Sequence, residues 1–282
     1  MLGTRFALTA ALVIAFVTSG FAQEKPRKVA FLVGVGKYDF KFSDLGTAPV
    51  NDVTKLAKVL KAGGFEVVIL TSNGAGKDRA TKANIDERFK ALLKGADGKP
   101  AIKKSDTLLV SLCGHGSVAV DGQPLFCPAD AKPEDPKTML PLDDIVRAAA
   151  ATGATALFLY DAGRQVPDPM PEPRKGEPGK RAPLPANAAV LFSCGNGEMS
   201  HQSDKAGGGH GLFTFAVLKT LRGETGLNGG VSWTELVGGV EKAFASPEFK
   251  SLLPAGRTQR PVLASGEVGE VPLLTGRGGN KH

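Results

Sequence analysis

Cysteine, histidine and the large aromatics are scarce in this chain: 3 Cys, 4 His, 2 Tyr and 1 Trp among 282 residues. The histidines and cysteines are isolated, so no zinc-ligand spacing occurs and no metal is expected. Three cysteines cannot all pair within one chain. Cys113, Cys127 and Cys194 lie in or at the ends of apolar stretches and read as small core side chains. One bridge between Cys113 and Cys194 stays open if their strands are neighbours in an oxidising compartment. The formal charge of +7 is dispersed, with no long basic run. Nucleic-acid binding needs a concentrated basic face, so it is excluded; the charge suits solubility and a modest attraction to acidic surfaces. No apolar stretch after the N-terminal segment approaches the roughly 20 residues that span a bilayer. Phosphate loops are also lacking. Asn73-Gly-Ala-Gly76-Lys77 has Thr71 in place of the first glycine and Asp78 in place of the Ser/Thr, and Gly34-Val-Gly36 lacks the third glycine of a dinucleotide site. No cofactor is expected, and Gly34 and Gly36 are assigned to tight turns.

What is present begins with Arg5 and the apolar run Phe6–Val17, broken only by Thr9 and followed by Ser19-Gly-Phe-Ala22. Residues 1–22 read as a secretory signal, which places the mature chain outside the cell, in the periplasm or in the envelope. An uncleaved membrane anchor is the other reading of the same run. Beyond it, short continuous apolar runs alternate with helical periodicities. Strands are expected at Lys28–Val35, Phe65–Leu70, Asp106–Cys113, Ala154–Asp161, Ala188–Ser193 and Arg260–Leu263. Helices are expected at Pro49–Lys61, after the cap Thr81, at Leu142–Ala151, at Leu212–Leu221, and from the capping box Ser232-Trp-Thr-Glu235 to Ala245. The alternation predicts an α/β sandwich with a mostly parallel sheet. Val166–Pro185 holds 7 prolines and almost no large apolar side chain, so it is expected to be a mobile surface loop. The domain is expected to run over residues 23–274, with 275–282 as a tail and the whole stretch from 264 loosely held.

In an open parallel sheet, ligands collect at the carboxyl ends of the strands. Two apolar runs end in polar residues there. One is Thr107-Leu-Leu-Val-Ser-Leu-Cys-Gly-His115-Gly116; the other is Ala156-Leu-Phe-Leu-Tyr-Asp161-Ala162-Gly163-Arg164. Gly163 lies 48 residues after His115. This arrangement resembles the caspase-type cysteine peptidases, including the metacaspases and their bacterial relatives, in which a histidine and a nucleophilic cysteine end neighbouring strands about 50 residues apart. Val50-Asn51-Asp52-Val53, Ser193-Cys194 and Gly209-His210-Gly211-Leu-Phe-Thr214 add to the likeness, which covers roughly residues 28–222.

The resemblance implies a three-layer α/β/α caspase-like sandwich and assigns roles. His115 is the general base, and Gly163 stands where the nucleophilic cysteine would be. The backbone N–H of Gly116 helps hold the carbonyl oxygen. Asp52 and Asp161 line the pocket for a substrate's Arg or Lys. His210 is expected to be structural. Some metacaspase relatives use calcium, but no dedicated acidic loop is visible. With glycine at the nucleophile position, the expected protein is an inactive pseudopeptidase that binds peptide or protein segments bearing Arg or Lys. Two alternatives remain at this stage. One is an active cysteine endopeptidase using His115 with a displaced thiol such as Cys113, which lies on the same strand face if the strand is regular. The other is an envelope domain with a vestigial pocket.

Overall fold

The computed structural model describes residues 25–95, 101–119, 121–164, 183–223 and 230–275. The expected signal, most of the expected proline-rich loop and the last residues of the expected tail lie outside the described residues.

Six strands form the central sheet: β1 (Lys28–Gly34), β2 (Phe65–Thr71), β3 (Thr107–Gly114), β4 (Thr155–Ala162), β5 (Ala188–Phe192) and β6 (Val262–Ser265). Their order is β6-β5-β4-β3-β1-β2. All neighbours are parallel except β6, which runs antiparallel along β5. The four central strands are buried on both faces, as their continuous apolar runs require.

Alternation along each strand divides the core in two. Ala30 and Leu32 of β1 pack with helices α1 (Ala48–Ala62), α4 (Leu212–Leu221), α5 (Trp233–Ala245) and α6 (Pro247–Leu252). Val29, Phe31 and Val33 face the other way, onto α2 (Lys82–Lys94) and α3 (Leu142–Ala150). The result is the expected α/β/α sandwich. Local signals set the helix starts: Pro sits in the first turn of α1, Thr81 accepts from the Asn84 N–H, and Ser232 and Glu235 close a full capping box. Gly34 serves close packing rather than a turn. A Cβ there would lie 2.5 Å from the Pro49 carbonyl oxygen, so its absence lets α1 settle on β1.

Two expectations change. The chain after residue 264 is not loose: β6 continues to Ser265, Pro272–Leu274 pairs with Val231–Ser232, and Leu273 is buried. Cys113 and Cys194 do not bridge; all three cysteines are free, and β4 lies between the strands that carry those two.

Candidate active site

The pairing of β3 with β4 ends at Gly114 opposite Ala162. His115 and Gly163 are the next residues of their strands, so the two chain ends leave the sheet side by side. They stay together through the turn, since a Cβ on Gly116 would lie 2.4 Å from the Gly163 carbonyl oxygen. The sheet therefore brings the expected base and the expected nucleophile position to one place.

The His115 ring packs against both Tyr38 and Phe42, with centroids 5.0 and 5.4 Å away, and those two rings also touch each other. Its Nε2 is 2.8 Å from the Ser43 carbonyl oxygen. A carbonyl only accepts, so Nε2 carries the hydrogen and Nδ1 keeps its lone pair. The His115 backbone N–H donates to the Tyr38 hydroxyl at 2.7 Å. Burial holds the imidazole pKa below its ordinary value, against the opposing pull of the Ser43 carbonyl. The ring is thus neutral at pH 7, oriented and able to accept a proton.

Gly116 opens the short strand Gly116–Val118, paired with Pro124–Phe126. The Cys127 N–H donates to the His115 carbonyl at 3.0 Å. This puts Gly116 at a non-hydrogen-bonded ladder position and points its own N–H away from the neighbouring strand. At Gly163 the space is open among the described residues: a Cβ there would meet only the Met199 Cα, at 4.0 Å. The expected base and the expected backbone donor thus flank a residue that carries no side chain.

The two acids come together below this opening, and both are buried. One carboxylate oxygen of each lies within 4.8 Å of the other and of the Cys113 sulfur. Asp52 Oδ1 takes the Nδ1–H of His210 at 2.5 Å, and Oδ2 takes the Gly211 N–H at 3.0 Å and the Cys113 thiol at 3.4 Å. Asp161 Oδ1 takes the Ser200 hydroxyl at 2.6 Å, and Oδ2 takes both the hydroxyl and the N–H of Thr214, at 2.7 and 3.2 Å. The acids are therefore not the walls of an open pocket: every oxygen has an internal donor. Desolvation pushes Asp52 up to about 6, against the downward pull of the His210 hydrogen bond and with a further push from Asp161. Burial raises Asp161 as well. This donor set does not fit a metal, because each oxygen is already taken by a proton donor. His210, expected to be structural, is the buried partner of Asp52.

Cys113 is not placed to act as a displaced nucleophile for His115. It faces Asp52 in the α1 and α4 half of the core, whereas His115 packs against Tyr38 and Phe42. Gly114 separates them; a Cβ there would lie 2.9 Å from the Tyr38 hydroxyl, and its φ of +156° departs from the regular strand. Burial and the two carboxylates hold the thiol well above its ordinary pKa, so it is not a thiolate.

Sequence reasoning did not pick out Tyr38, Phe42 and Ser43, which hold the imidazole, or Ser200, which covers Asp161; it singled out the stretch that holds Gly211 and Thr214 but gave those two no part in covering the acids. A signal for the first group exists, since one of only 2 tyrosines sits four residues from Phe42 in a polar loop. Two cavities, the larger of about 540 Å³ and lined by Leu184, Ala264 and Gly266, lie at the opposite end of the sheet, so neither serves His115.

The caspase domain family profile matches residues 27–270. Caspase-1 from Spodoptera frugiperda superposes with a TM-score of 0.60 at 19% identity, over 90% of this chain and 92% of that one. Likeness at that identity speaks for the fold. Among curated proteins no relative matches the chain.

Proposed function

Since the chain belongs to the caspase domain family, we propose that it is an exported, catalytically inactive member that binds peptide or protein segments carrying Arg or Lys. One observation carries this reading: a neutral, oriented imidazole stands beside Gly163, where a side chain would fit and none is present. A positioned general base alone contributes about 10²–10⁴-fold. Peptide hydrolysis demands many orders of magnitude more. The adjacent carboxylates Asp52 and Asp161 would attract a basic side chain through charge-assisted hydrogen bonds once it takes the place of their internal donors. Export rests on the pattern of residues 1–22. No helix among the described residues is long and apolar enough to cross a membrane.

The test has two parts. Fluorogenic peptides ending in Arg or Lys are expected to show no thiol-dependent turnover; turnover that Cys113→Ser abolishes would establish an active enzyme with a displaced nucleophile. Calorimetry with an Arg-containing peptide is expected to show binding that Asp161→Ala weakens. Equal binding in both proteins, or none in either, removes the acidic pocket from the account.

A further inference from the structure

The donors that cover the two acids come largely from one stretch of chain. Ser200 reaches Asp161 from one end of the segment Ser200–Gly211, and His210 and Gly211 reach Asp52 from the other. In between, Gln202–Ser203 and His210–Gly211 pair as a two-residue antiparallel ladder. The ladder is closed by Gly207, Gly208 and Gly209 at φ of +60°, +92° and +97°, a run that only glycine adopts without strain. The segment is held mostly by polar contacts. Gln202 donates to the Leu45 carbonyl, the Asn51 side chain donates to the Gly209 carbonyl, and the His201 N–H donates to Gln259. Ala206 lies in the apolar core, and the buried His210 ring stacks on Phe215 with centroids 6.2 Å apart.

The fit over the acids is close. A Cβ on Gly211 would lie 2.8 Å from an Asp161 oxygen and 3.1 Å from an Asp52 oxygen, so the backbone of Gly211 fills the space above both carboxylates. His210 is the only cationic-type side chain among their donors, and it sits where a guanidinium or ammonium would pair with Asp52. Met199, immediately before the segment, is exposed and stands beside Gly163.

We infer that Ser200–Gly211 is an internal strap that occupies the acid pair, with His210 as its built-in occupant, and that a partner's basic side chain reaches Asp52 and Asp161 only by displacing it. This rests on the basic-segment reading above and adds the gate to it. Mostly polar attachment, only two buried side chains and a triple-glycine turn are the features of a segment that opens before the sheet and helices beneath it do. Affinity measured on the resting protein is then reduced by the small fraction in which the strap is open.

The experiment uses the peptide acetyl-Gly-Arg-Gly-amide and its Gln counterpart, with hydrogen exchange on the wild type and calorimetry on wild type and His210→Ala. The Arg peptide should speed exchange at the amides of Gly211, Leu212 and Thr214, and the Gln peptide should not. His210→Ala should bind the Arg peptide about tenfold tighter or more. Binding by His210→Ala alone would also support the strap, with the wild type closed at rest. Arg-peptide binding to the wild type with unchanged exchange, and no gain in the variant, overturns the strap while the pocket stands. No binding to either protein overturns both. Exchange on the wild type decides the matter if the variant does not fold.

Discussion

At Gly163 a residue without a side chain stands beside the oriented imidazole of His115. The open space there makes the position testable. Gly163→Ala should leave the melting temperature unchanged, because only the Met199 Cα comes as close as 4.0 Å to the added atom. Gly163→Cys should create measurable cleavage after Arg or Lys in the fluorogenic assay, since a thiol beside a neutral imidazole can lose its proton to it. A folded Gly163→Cys protein without turnover would mean either that the surroundings of His115 have decayed or that residue 163 is not the nucleophile position. Asp52 allows a second test at this scale. Its folded pKa of about 6 exceeds the ordinary 3.8, so between those values the folded state binds more protons than the unfolded one. Stability therefore falls as pH rises from 4 through 6, by about 3 kcal/mol for this group at most. Asp52→Asn removes that term. Urea unfolding should show the wild type losing stability relative to the variant between pH 4 and pH 7; a constant gap would show that the carboxyl titrates normally.

Helix packing sets the next scale. Helices α4 and α5 cross where Gly239 meets Thr220: a Cβ on Gly239 would fall 2.4 Å from the Thr220 methyl carbon. Thr220 cannot easily yield, because it is buried and its hydroxyl is tied to the Ala216 carbonyl at 3.0 Å. Gly238, one residue earlier, faces open space. Adjacent glycines in one helix should therefore respond with opposite signs. Gly238→Ala should stabilise by up to about 1 kcal/mol through helix propensity. Gly239→Ala should destabilise by about 1–3 kcal/mol through overpacking. Chemical denaturation of the two variants measures both, and a shared sign would show that the crossing is looser than the geometry implies. The sequence announces α5 through its capping box, but it does not distinguish the two glycines, because which one faces α4 follows from how the helices cross.

For the molecule as a whole, the fold is held without covalent cross-links. All three cysteines are free and buried, and burial pushes Cys127 up to about 12 and Cys194 to about 11. Reductant should leave the melting temperature unchanged, and a thiol reagent at pH 8 should label the native protein only after unfolding. Loss of stability in reductant would reveal a bridge and require β4 to move from between Cys113 and Cys194.

The apolar runs by themselves determined the sheet's strands, the helices between them and the placing of His115 and Gly163 at strand ends, because burial on both faces demands continuous apolar sequence and helices demand their own period. That position 163 is a glycine was equally plain, since it depends on one residue's identity. Only the tertiary structure decided what surrounds these residues. The cradle of His115 comes from a loop 72 to 77 residues away in sequence, and the donors on Asp52 come from residues 61, 158 and 159 positions away. Such contacts obey no local period, so they leave no mark in the chain until folding brings them within hydrogen-bond range.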